Sequence, residues 1–141
     1  MIGRATALAA AIALSALAAP AAAESQRLAD AWEAARTETD PPLSDAAAAQ
    51  INITGYHGAV ARLCEGFELD VDEIAAASDA LVLEGADGLD PEALMRHQAG
   101  ILVAIGVAHG LFLAEGSLNR ETFCAQAAES RDTPGYDHHW R

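Results

Sequence analysis

The sequence predicts an all-α fold, a small bundle of about five helices closed by one disulfide and preceded by an export signal. Three observations predict it. Apolar residues recur at spacings of three and four along most of the chain, the period of a helix that buries one face. No stretch alternates apolar and polar residues for long enough to make a strand. Ser, Asp and Asn starts, with Gly or Pro stops, divide the chain into segments of helical length.

The elements follow in order. Residues 1–23 have the layout of a secretory signal: Arg4, an apolar run over 7–17, Pro20, and the small residues Ala21 to Ala23 as the cleavage site. Cleavage after Ala23 leaves a single domain over 24–131 and a polar tail over 132–141. The first helix covers 24–38, with Leu28 and Trp32 four apart, and Pro41-Pro42 stops it. Ser44 or Asp45 caps a second helix running to Cys64. Its apolar series is uneven from Ile51 to Tyr56, where a break is expected, and Gly66 ends it. Asp70 or Asp72 caps a third, carrying Val71, Ile74, Leu81 and Val82, and Gly85 and Gly88 mark the loop after it. Asp90-Pro91-Glu92 is the clearest helix start in the chain: a capping carboxylate, then proline where no N–H is needed. Gly116 should close that helix, and Asn119 should cap a last one with Phe123, Cys124 and Ala127.

The stretch from Ala99 to Ala114 is apolar almost throughout. It is too short to cross a bilayer, and a helix apolar on all sides is expected at the centre of a bundle. Membrane insertion of the mature chain is therefore not expected. Gly106 and Gly110 form a small-xxx-small pair. Close packing within the fold is the first expectation for it, and a contact with a protein partner or a second copy is the alternative. Gly106, His109, Gly110 and Phe112 make up the candidate interaction face.

Cys64 and Cys124, the two cysteines of an exported chain, are expected to pair. Closing a loop of this length stabilises a fold by about 4 kcal/mol in the chain-entropy model. They do not form a Cys-x-x-Cys, and Glu65 and Glu121 beside them oppose a reactive thiolate.

Charge excludes more chemistry than it suggests. Eight arginines and no lysine against 21 acids give a net charge of −13, which opposes nucleic acid and anionic lipid surfaces. The five histidines include no His-x-x-x-His pair, and His97 and His109 point in different directions on one helix. The Asp137-His138-His139 tail is a weak candidate for a transition metal. Two acidic stretches, Glu68 to Glu73 and Glu84 to Glu92, lack the glycine and final glutamate of a calcium loop and read as caps and solvated surface. No nucleophile elbow, phosphate loop, dinucleotide fingerprint or haem-attachment motif occurs. No catalytic residue, metal or cofactor is assigned.

Arg62-Leu63-Cys64-Glu65-Gly66-Phe67 and Thr122-Phe123-Cys124-Ala125 place one cysteine at a helix end and the other in a short last helix. This arrangement resembles a domain-of-unknown-function family of small exported helical proteins of alphaproteobacteria. It is similar, more distantly, to acid-stress chaperones of the HdeA type. The resemblance implies a disulfide-closed periplasmic helical fold and supplies no activity. The expectation is a non-enzymatic periplasmic accessory or interaction protein. The alternative is a pH-responsive holdase, in which acidification below about pH 4 neutralises carboxylates, charges histidines and loosens the helices.

Overall fold

The computed structural model describes residues 28–134 and 139–141. The expected signal over 1–23, Asp137 and His138 lie outside the described residues. The chain separates into Met1–Ala31 and Trp32–Arg141, and the fold below is that of the second unit. Among the described residues it is all helical, with a single isolated bridge between Leu69 and Trp140 in place of any strand.

Residues 28–37 are helical (α1), and 32–37 belong to this unit. Helix α2 spans Asp45–Leu63, and Ser44 Oγ accepts the Ala47 N–H at its start. It runs unbroken through Ile51 to Tyr56, contrary to the expected interruption. Burial overrides the poor local propensity there: Ile51 and Thr54 face the interior, and Gly55 lies where α2 crosses the next long helix. The helix stops at Leu63, because Cys64 takes extended backbone, and Gly66 turns the chain with φ +80°.

Helix α3 spans Val71–Leu83, and the Asp70 carboxylate accepts the N–H groups of Asp72 and Glu73. Helix α4 spans Pro91–Leu118, and Asp90 accepts from Glu92 and Ala93 at 3.0 and 2.9 Å. Gly116 does not close it. A side chain there would run into Leu63 and Phe123, so this glycine is a packing site inside the last turn. Helix α5 spans Arg120–Arg131; Asn119 occupies its cap position without a side-chain bond.

The pairing of α2 with α4 dominates the fold. A Cβ added at Gly55 would sit 2.8 Å from both Ala108 Cβ and the His109 nitrogen, so the two backbones touch at this crossing. One half of the core collects Leu43, Ala47, Ile51, Leu81, Ile101 and Ala104. The other collects Val60, Cys64, Phe67, Phe123, Ala127 and Trp140. Cys64 and Cys124 form the expected disulfide, with 5.5 Å between their Cα atoms, and tie the end of α2 to α5.

Trp140 is the surprise in this core. The sequence reading places it in a polar tail, yet it is only 5% exposed. Its indole N–H donates to the His57 carbonyl at 3.0 Å, and its ring lies 4.3 Å from His57 and 4.9 Å from Phe67. The backbone fixes it from both sides: Asp70 N–H donates to the His139 carbonyl and Arg141 N–H to the Glu68 carbonyl, each at 2.8 Å. One tryptophan among polar neighbours has no periodicity to reveal it, but its area is enough to hold a chain end.

Candidate functional site

Helix α4 positions the candidate interaction face. Its inward side carries His97, Ile101, Ala104 and Ala108, all buried against the rest of the fold. At 100° per residue the opposite side carries Met95, Ala99, Leu102, Val103, Gly106, Gly110 and Ala114. Every one of these is exposed, with Met95, Leu102 and Val103 at 64%, 63% and 62%. The expected burial of Ala99 to Ala114 on all sides is therefore corrected, and so is its shortness: the helix that carries it has 28 residues and is long and apolar enough, by length and composition, to cross a membrane. Among the described residues α2, α3 and α5 all pack on α4 from one side, so that side is covered and the other is open.

Gly106 and Gly110 are corrected in the same way. A Cβ at either would meet no atom within 4 Å, so neither makes close packing inside the fold. Gly55, Gly58 and Gly116 do that instead, and the sequence signal for them was weaker, because their partners lie on another helix. Of the remaining candidate residues, Phe112 turns inward, its ring edge-on to Tyr56 at 5.4 Å. His109 lies at the border. Its Nδ1–H donates to the Gly55 carbonyl at 3.3 Å, and its ring lies over Gly58. The face is thus Gly106 and Gly110 with their large apolar neighbours, edged by His109.

From Ala99 to Ala114 this side carries no charged residue, on a chain of net charge −13. At its amino end Glu92 and Arg96 neutralise one another at 2.8 Å. An exposed apolar strip of this extent favours a contact with another apolar surface.

A second constellation lies where the chain end closes on α2 and α3. His57 is fully buried, and its Nδ1 accepts the His139 N–H at 3.3 Å. The His139 ring lies 5.0 Å from that of His57, with its Nδ1 3.8 Å from the Glu73 carboxylate. Arg141 grips Asp70 at 3.1 Å. The guanidinium hydrogen bond, helped by the Glu73 N–H, holds the Asp70 carboxyl below its usual range, and the pair raises Arg141 in turn.

Several of the acids and histidines have partners within the fold. Asp70 and Asp90 cap helices, Glu84 accepts the Ser44 hydroxyl, and Glu92 holds Arg96. His97 is buried, with Nε2 donating to the Glu84 carbonyl at 2.9 Å. Among the described residues no three His, Cys, Asp or Glu side chains converge as a metal site. An open concavity of about 540 Å³ lies between the end of α2 and His109, lined by Gly58, Ala61, Phe67 and Leu69, with Arg62 and Glu68 also on its wall.

No protein-family model, no curated protein and no solved structure matches this chain.

Proposed function

We propose that this is a non-enzymatic accessory protein of the bacterial periplasm, which works by docking an apolar surface onto the outward side of α4. One observation carries the reading: a helix of 28 residues is packed on one side only, and its open side is apolar and uncharged over Ala99 to Ala114. The signal-like residues 1–23 and the Cys64–Cys124 disulfide support an oxidising, exported setting.

A photo-cross-linking residue at Val103, introduced in the producing cell, tests it. Adducts should form there, should be lost when Gly106→Leu is added, and should be absent from a control at exposed Asp79 on α3. A bare, folded chain with no adduct at Val103 or Leu102 would end the proposal.

A second reading, the acid-responsive holdase, is favoured by the chain-end constellation. Protonating His57 places a hydrogen on the Nδ1 that accepts from His139, and protonating Asp70 removes the partner of Arg141. Both changes act on the segment that seats Trp140. Suppression of the aggregation of an unrelated substrate at pH 3 but not at pH 7 is the expected result. No suppression at pH 3 defeats this reading.

A further inference from the structure

The open side of α4 has a register of its own. Met95, Ala99, Leu102 and Gly106 follow one another at spacings of 4, 3 and 4, the seam of a two-helix coiled coil, and the half-buried His109 and Leu113 continue it at 3 and 4 along its inner border, where both also pack on the rest of the fold. Large and small residues alternate from Met95 to Gly106. An antiparallel copy related by a two-fold axis at Gly106 matches them. Leu102 then falls on the hole formed by Gly106, His109, Gly110 and Leu113 of the other copy, and Leu113 falls opposite Ala99. Gly106 meets itself. The face is both ridge and groove, which is what a two-fold contact between identical surfaces needs.

Charge limits where a second copy can approach. Two copies of −13 repel at long range, and the Ala99 to Ala114 side of α4, free of carboxylates, adds no like-charge contact to that cost. In this register Met95 faces Ser117, and the mutually paired Glu92 and Arg96 confront no like charge on the seam. Size fits a reversible association. The seam from Met95 to Ser117 is about 33 Å long, and a helix is 10–12 Å across. Pairing it covers on the order of 1,000 Å² in total, at the lower edge of specific interfaces.

Glycine is a poor helix former, and Gly106 and Gly110 stand in mid-helix with open space where a side chain could be. The isolated chain gains nothing from them, whereas a helix crossing at Gly106 does.

We infer that α4 is a homodimer seam, with two copies packed antiparallel about Gly106; this rests on the reading of α4 as a docking face and names its partner. Sedimentation equilibrium of the protein purified without reductant should show a monomer–dimer equilibrium in the micromolar range. Leu102→Glu and Gly106→Leu should each weaken it at least tenfold while leaving the helical circular dichroism unchanged, since both positions face open space. Gly106→Cys should give a disulfide-linked dimer on mild oxidation, because that residue meets its own copy, whereas Gly110→Cys should not. A wild-type chain monomeric at several hundred micromolar overturns the inference, and so does equal cross-linking at both cysteines. If sedimentation shows only monomer but Val103 cross-links to a different protein or to lipid in cells, the second copy is refuted and the docking face stands. If Val103 gives no adduct either, both fall.

Discussion

Replacing Trp140 with alanine should destabilise the folded chain far more than a change in so polar a stretch of sequence ordinarily would. The side chain is 95% removed from solvent, wedged between His57 and Phe67 and tied to the His57 carbonyl. A buried aromatic of this size hides about 150–250 Å², worth about 4–6 kcal/mol at 25 cal/mol per Å². Residual burial in the unfolded chain brings that to about 3–4 kcal/mol, within the range for aromatic-to-alanine changes in cores. The His57 carbonyl belongs to α2, so losing the indole bond adds little. For a unit of 110 residues (Trp32–Arg141), each kcal/mol moves the Tm by about 4 °C, so the midpoint should fall by about 12–16 °C. Thermal and urea unfolding followed by far-ultraviolet circular dichroism, without reductant, measures it. Trp140→Phe keeps most of the area and should lose about 1–2 kcal/mol. A loss below about 1 kcal/mol for the alanine variant would refute the reasoning, because it would mean the chain end is not seated on α2.

Two glycines, one at the crossing of α2 with α4 and one on the open side of α4, should respond in opposite directions. Gly55→Ala forces a methyl against Ala108 and the α4 backbone and should cost about 1–2 kcal/mol, whereas Gly106→Ala, compared at low protein concentration, should gain about 0.5–1 kcal/mol from helix propensity alone; urea midpoints separate the two. Replacing Cys64 and Cys124 together by alanine should remove about 4 kcal/mol, read as a shift in the urea midpoint that added reductant no longer enlarges. Asp70 is held below its usual pKa, so its contribution is complete above the ordinary carboxylate range and lost as pH falls through the lowered value. Arg141→Ala should therefore flatten the acid side of the stability–pH curve below about pH 4 and leave the curve near neutrality parallel to that of the wild type. An unchanged acid limb would show that the pair is not formed in solution.

Asp70 and Asp90 could be read as caps because a carboxylate before a helical run satisfies N–H groups two and three residues on, an interaction contained within four residues of chain. The loop at Gly85 and Gly88 and the Cys64–Cys124 pairing were equally local or forced by number. The continuity of α2 through Gly55 was not legible, because what rescues that stretch is Ala108, 53 positions away. The inward face of α4 was legible in part, since Ile101, Ile105, Ala108 and Phe112 recur at helical spacing and are turned inward, but Leu102, Val103 and Gly106, equally apolar, gave no sign of staying uncovered. The seating of Trp140 depended on Phe67 and His57 reaching the same place. Local hydrogen bonding and periodicity thus determined the helices, their starts and the class of fold. Which glycines touch, which side of α4 stays uncovered and where the chain ends were decided by packing between distant residues, which no short stretch of sequence contains.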